Sequence, residues 1–320
     1  MSRNNSYVAL KVLNGFHTEL FERGRICELE VLQQVSMPPS TPHCLQLMSH
    51  FTFPGKGTAG QHLCLVTNVI GGDVKSLFTK HGIFPFPLAK RIILHLLRGI
   101  AHAHTRGVLL TSDPPRRHAP EASHDGLVEA AISQPLPIPT LQEAMQRTFV
   151  VADFGHVILT AQLVENHTEN KISPPPLRPP EIIIGGPWDA KVDIWTFGCL
   201  IFELITGRAF FKYEPDPKLN LDEPNYIIYQ MLCYTCEDIS AEQLMVSAFA
   251  DQFFDTNCNF KAIPRLMDYP FEISIRCYKV IEEADVLSTA ALMRRCLRLD
   301  PAQRASAAEL LSDPWFDGVE

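Results

Sequence analysis

The sequence predicts an α+β chain of two lobes, a strand-rich first part followed by a larger helical part. Short apolar runs of β character recur before residue 70, the pair Gly71-Gly72 interrupts them, and long stretches with helical spacing dominate afterwards. The expected bounds are 1–72 for the small lobe and 73–320 for the large one, joined near residues 69–73.

Tyr7-Val8-Ala9-Leu10-Lys11-Val12-Leu13 reads as the first strand. Over residues 22–35, Ile26, Leu29, Leu32 and Val35 recur every third position, which predicts a helix. Two more strands are expected around His50-Phe51-Thr52-Phe53 and Leu63-Cys64-Leu65-Val66. Beyond the glycine pair, residues 87–106 and 192–206 have the length and spacing of long helices. Residues 112–147 stand apart, with Pro114, Pro115, Pro120, Pro135, Pro137 and Pro139 and few bulky side chains. They read as an exposed insert holding at most a short helix at 141–146.

With 320 residues and 46% apolar composition the chain can bury a large core, which excludes disorder of the whole. Met1-Ser2-Arg3-Asn4-Asn5-Ser6 contains no apolar targeting segment, and Cys199-Leu200-Ile201-Phe202 is cut by Glu203 far short of a membrane span. The expectation is a soluble protein of the cytoplasm and/or nucleus with no membrane contact. Nine cysteines, an odd number scattered through core-like segments, fit reduced thiols. Cys233-Tyr234-Thr235-Cys236 is a CxxC without a second pair and reads as two ordinary thiols. His102 and His104 occupy alternate helical positions, which do not share a face.

A net charge of −8 argues against direct nucleic-acid binding and for a basic partner. Between residues 214 and 255 nine carboxylates (Glu214, Asp216, Asp222, Glu223, Glu237, Asp238, Glu242, Asp251 and Asp255) stand against the single Lys218. That window is either a solvated face or a docking surface for basic peptides.

Gly55-Lys56-Gly57-Thr58-Ala59-Gly60 matches the GxGxxG pattern, on which an NAD-binding oxidoreductase could be argued. A dinucleotide site needs a helix after the glycines, so that the pyrophosphate meets the helix N-terminus. Here a second strand is expected instead, and the segment reads as a hairpin loop. Lys11 sits in a strand where it could face a cleft and bind phosphate, and Glu28, on the first helix, could be the anionic partner that holds it. Asp153-Phe154-Gly155 follows the apolar run Phe149-Val150-Val151-Ala152, the setting for a magnesium ligand at a strand end. Downstream lie Glu181 in Arg178-Pro179-Pro180-Glu181, Asp193 at the start of an apolar helix, and an isolated Arg304. Glu181 can pair with Arg304, and Asp193 can accept backbone N–H bonds from a loop above it.

In this order and spacing the motifs resemble a eukaryotic protein kinase, of the SR-protein kinase (CMGC) branch in its fungal form. The similarity runs from about Tyr7 to the C-terminus. It implies a protein kinase-like two-lobe fold, with ATP and Mg2+ as cofactors and Arg/Ser-rich proteins as substrates. It further implies that Lys11 with Glu28 positions the phosphates, that Asp153 holds magnesium, and that Phe154, Gly155, Glu181, Asp193 and Arg304 build the framework. Two departures stand out. The sequence starts at the strand of the family's lysine, without the glycine-rich loop that would cover the ATP phosphates. After Gly107-Val108 it reads Leu109-Leu110-Thr111-Ser112-Asp113-Pro114-Pro115, where the family places its catalytic aspartate, a lysine and an asparagine. No lysine occurs between Lys90 and Lys171, and no asparagine between Asn68 and Asn166. Asp113 is the nearest surrogate for the base and Asp125 a distant second, although a turn aspartate before proline is its ordinary explanation. The expectation is therefore a serine/threonine protein kinase family member with impaired turnover. The alternatives are an inactive pseudokinase or scaffold for basic partners, and an active enzyme whose sequence has lost a segment near Ser112.

Overall fold

Three strands, Val8–Val12 (β1), Leu47–Pro54 (β2) and Gln61–Asn68 (β3), form an antiparallel sheet in the order β1-β3-β2. The structure is a computed structural model that describes residues 7–56, 60–110, 137–154, 158–159, 174–262 and 266–320. Because β3 is central, its Leu63, Cys64 and Leu65 are buried, while β1 and β2 keep most side chains exposed. Leu63 and Leu65 point to one face and pack with Leu29, Leu32 and Val35 of a helix laid across the sheet. Gly55 N–H donates to Gly60 O at 2.7 Å where the chain turns from β2 into β3. A strand therefore follows the glycine pattern, as the hairpin reading expects, and the dinucleotide reading is excluded.

The helix expected over 22–35 begins late, at Glu28–Ser36 (α2), and is preceded by a separate helix, Gly15–Glu22 (α1), that the spacing did not announce. Gly24 separates them with φ of 67°, a left-handed conformation that glycine adopts without a Cβ clash. Ile26 keeps the three-residue spacing of Leu29, Leu32 and Val35 but lies in the connecting segment, so the spacing places the start of the helix too early. Asn14 caps α1 by accepting from His17 N–H at 2.8 Å. Thr18, fully buried, accepts from Leu63 N–H at 3.0 Å and so fastens α1 to β3.

The helical part begins after the glycine pair with Val74–His81 (α3) and the twenty-residue Phe86–Thr105 (α4). A short strand, Val108–Leu109 (β4), pairs with Ile158–Leu159 (β5). Leu141–Ala144 (α5), Pro180–Ile184 (α6) and Lys191–Thr206 (α7) follow. The remaining helices are Glu223–Thr235 (α8), Ala241–Met245 (α9), Ala250–Phe253 (α10), Phe271–Tyr278 (α11), Glu283–Cys296 (α12) and Ala307–Leu311 (α13). α7 is buried along most of its length, as its nearly continuous apolar sequence requires, with Glu203 left exposed. Its Trp195 stacks on Phe211 with ring centroids 5.4 Å apart and planes 7° from parallel. Among the described residues no helix is long and apolar enough to cross a membrane.

The exposed insert expected over 112–147 is corrected at its end. Thr140 and Glu143 form a reciprocal cap on α5, Ala144 is buried, and Ile138, Leu141 and Met145 pack against the helical core. Lys80 and His81 at the end of α3 bond the carbonyls of Ile138 and Pro139 at 2.7 and 2.8 Å. A few apolar residues suffice here because their spacing puts them on one face. Residues 112–136 lie outside the described part.

Arg304 is the largest polar side chain in the interior, and its guanidinium is fully buried. Two parallel bonds join it to Glu181, at 2.6 and 2.7 Å. Two more go to the carbonyls of Arg298 at 2.9 Å and Lys191 at 3.0 Å, and the Trp195 ring lies 5.0 Å beneath. Lys191 answers by donating its ammonium to the Arg304 carbonyl.

Removing Glu181 leaves a charged group buried without its counter-ion, so Glu181→Ala should lower unfolding free energy by about 3–5 kcal/mol, measured by urea titration. Gly99 of α4 makes a second prediction. A Cβ there would stand 2.5 Å from Val151 Cγ2 and 2.8 Å from His43 O. Gly99→Ala should cost about 1–3 kcal/mol through overpacking, read as a lowered thermal midpoint.

Candidate functional site

The site is assembled where the segment before Asp153 meets β1 and α2. Val151 N–H donates to His43 O at 2.8 Å and its carbonyl accepts from Leu45 N–H at 2.9 Å, so the chain approaches in a strand-like path. At Asp153 φ is 64°, in the left-handed region that Asp tolerates better than most residues. The turn sends neighbouring side chains apart. Phe154 is buried within the α2 and β3 cluster, while the Asp153 side chain is 74% exposed.

Lys11 stands between two carboxylates. Its Nζ lies 2.6 Å from Glu28 Oε1 and 3.4 Å from Asp153 Oδ1. Partial burial works against the ammonium, but the charge and hydrogen bond of Glu28, helped by Asp153, outweigh it and raise the Lys11 pKa above its ordinary value. Glu28 is buried at the first position of α2, so the pair sets the distance of that helix from β1. The result is a fixed cation beside an exposed carboxylate, able to meet an anionic oxygen and a hard divalent cation side by side. Among the described residues no group of three or more His, Cys, Asp or Glu is placed to hold a metal ion. A single carboxylate still fits magnesium, which commonly takes one or two from protein and the rest of its shell from phosphate and water.

Asp193 is buried in the first turn of α7. Its Oδ2 accepts from His104 Nε2 and from Leu110 N–H, each at 2.9 Å. The carboxylate thus holds the backbone at the point where the chain leaves β4. His104 was missed by the sequence reading, which set aside both histidines. They do take different partners, since His102 Nε2 contacts Val35 O at 2.8 Å. No local pattern marks His104, because its partner is 89 residues away.

The structure brings Lys11, Glu28, Asp153 and Phe154 together, and places Glu181 with Arg304 and Asp193 in separate buried links of the helical part. Asp113, Asp125 and Gly155 lie outside the described residues. Several carboxylates of the 214–255 window already have local partners. Asp222 caps α8, Asp216 accepts from Lys218 N–H at 2.8 Å, and Asp255 accepts from Asn257 and Asn259 N–H. Glu214 pairs with Lys212 at 2.7 Å and Glu237 with Arg298, cations that lie outside the window. Cys233 is buried and Cys236 exposed, both as free thiols.

With Glu28→Gln only Asp153 remains to offset the partial burial of Lys11, so the amine should lose its proton more readily. Lys11 is expected to react several-fold faster with an amine-directed ester at pH 8, followed by peptide mass spectrometry. An unchanged rate would show that Glu28 does not set the charge of Lys11.

The pattern of the protein kinase domain matches residues 141–316, more than half of the chain. Dual specificity protein kinase lkh1 of Schizosaccharomyces pombe is 24% identical over 305 residues, covering 92% of this chain and 41% of that protein. Serine/threonine-protein kinase SRPK of Physarum polycephalum is 24% identical over 360 aligned positions, covering 98% of this chain and 80% of that protein. Serine/threonine-protein kinase SKY1 of Saccharomyces cerevisiae is 31% identical over 167 residues, or 52% of this chain and 21% of that protein. The chain thus spans less than half of lkh1 and SKY1 but most of SRPK. With Lys11, Glu28 and Asp153 in contact and the domain pattern extending through Arg304, the chain belongs to the protein kinase domain family.

Proposed function

We propose that this chain binds ATP with Mg2+ at Lys11, Glu28 and Asp153 and belongs functionally with the serine/threonine protein kinases. The observation that carries the reading is the Lys11 ammonium held between buried Glu28 at 2.6 Å and exposed Asp153 at 3.4 Å. Lys11, oriented by Glu28, would donate to phosphate oxygens, and Asp153 would ligate the metal. Bound magnesium would neutralise charge on the phosphoryl group. The names of the SRPK and SKY1 relatives support serine or threonine as the acceptor. Arg/Ser-rich protein partners would meet the acidic surface of residues 214–255, in the cytoplasm and/or nucleus. The lobes divide at residues 72 and 73, with the nucleotide between them.

Turnover is expected to be impaired. Asp113 is the nearest carboxylate to act as base, and Leu109-Leu110-Thr111-Ser112-Asp113-Pro114-Pro115 provides neither a lysine nor an asparagine beside it. Loss of several positioned groups, each worth about a hundredfold or more, sets phosphotransfer at least about a thousandfold below a complete kinase. This same stretch favours a second reading, a scaffold that keeps the fold and binds basic partners without catalysis.

Calorimetry with ATP, with and without Mg2+, on the parent, Lys11→Met and Asp153→Asn tests the first reading. Magnesium-dependent binding should weaken about tenfold or more in either variant. Phosphorylation of an Arg-Ser peptide should then be detectable but slow. Peptide binding without nucleotide binding favours the scaffold, and turnover equal to that of SRPK overturns the impairment.

A further inference from the structure

The backbone of Phe149 is held between two buried imidazoles. His43, in the loop before β2, is 7% exposed and His95, midway along α4, is 2% exposed, with ring centroids 4.4 Å apart. A peptide N–H can only donate and a carbonyl can only accept, so Phe149 dictates both tautomers. Its N–H donates to His95 Nδ1 at 3.1 Å, which puts the lone pair on that nitrogen and the ring proton on Nε2. Its carbonyl lies 3.3 Å from His43 Nδ1, which must therefore carry a proton. Four residues further along the chain is Asp153.

We propose that His43 and His95 are positioning residues for the segment that carries Asp153, and that protonation of His95 releases it. A proton on His95 Nδ1 would face the Phe149 N–H, and that hydrogen bond cannot survive. The segment it secures is the one whose Val151 bonds both His43 O and Leu45 N–H before the chain turns out to Lys11. The surroundings resist a charge on either ring. Burial acts first, and on α4 the guanidiniums of Arg91 and Arg98 act on both rings. Arg91 itself is held by the carbonyls of Arg147 at 3.2 Å and Glu320 at 2.5 Å, and the Glu320 backbone faces His95 from the other side. The neighbouring Cys44 thiol, pushed up to about 12 by burial, stays protonated and donates to Gly99 O at 3.5 Å. Burial, followed by His43 and the two arginines, brings the His95 pKa down to about 4, whereas the released ring returns to its ordinary value. The closed arrangement is therefore fully favoured above the ordinary histidine range and weakens as pH falls through it toward 4.

The positional claim stands on its own geometry; its consequence for nucleotide binding rests on the reading of Asp153 given above. Long-range 1H–15N spectra of the unmodified chain at pH 7 should show His95 as the neutral Nε2–H tautomer and His43 as the neutral Nδ1–H tautomer. Protection of the Val151 amide, corrected for intrinsic exchange, should fall about tenfold or more between pH 7.5 and pH 5. His95→Gln keeps an acceptor that does not titrate, so its Val151 protection should lose most of this pH dependence, the remainder coming from His43. A His95 cation or Nδ1–H tautomer at pH 7, or a flat Val151 profile in the unmodified chain, would overturn the proposal. Parallel profiles in the unmodified chain and the variant would do the same. Absence of magnesium–ATP binding at every pH would remove the nucleotide reading alone, because the tautomers and amide protection are measured without nucleotide.

Discussion

The desolvated guanidinium of Arg304 ties distant segments of the helical part to one point. A charge in that position is tolerated only because Glu181 neutralises it with two parallel bonds and two carbonyls take further protons. Each partner comes from a different part of the chain, so satisfying one side chain brings α6, the start of α7 and the loop before α13 to a common point. The bond to Lys191 O matters most for the site, since Asp193 lies two residues further along α7. Asp193 then holds His104 at the end of α4 and Leu110 after β4. Polar satisfaction thus runs in one connected path from the C-terminal region to the backbone that leaves β4.

A different kind of constraint locates Asp153. Its approach packs against α4 at Gly99, where only a residue without a Cβ admits both Val151 and the His43 carbonyl. Phe154 then enters the cluster built by α2 and β3, while Asp153 turns outward to Lys11. Apolar packing of one residue and charge pairing of its neighbour act on the same turn, and the positive φ at Asp153 lets both be met. The lysine, its buried partner and the exposed carboxylate are consequently set by contacts from both parts of the chain.

Much of this was readable from residue order. The strand patterns at β1, β2 and β3 and the continuous apolar run of α7 follow from periodicity within short windows, and the pairing of Lys11 with Glu28 was implied by the resemblance to protein kinases. The late start of α2 was not readable, because Ile26 in the connecting segment keeps the spacing of Leu29, Leu32 and Val35 and a single glycine is compatible with either outcome. Ala144 and its neighbours looked like part of an exposed insert, since composition averaged over a proline-rich stretch conceals a few residues that share one face. His104, His43 and His95 carried no sequence signal at all.

The amino-acid sequence by itself determined the α+β order of elements, the kinase family and the identity of the charged residues that gather at the site. The first follows from local spacing, and the other two from the resemblance of the ordered motifs to those of protein kinases. Only the tertiary structure decided which groups His43, His95 and His104 meet, where the insert ends, and that one peptide segment is held between two buried imidazoles. Those properties arise from partners separated by 54 to 106 residues, whose meeting depends on how whole helices pack.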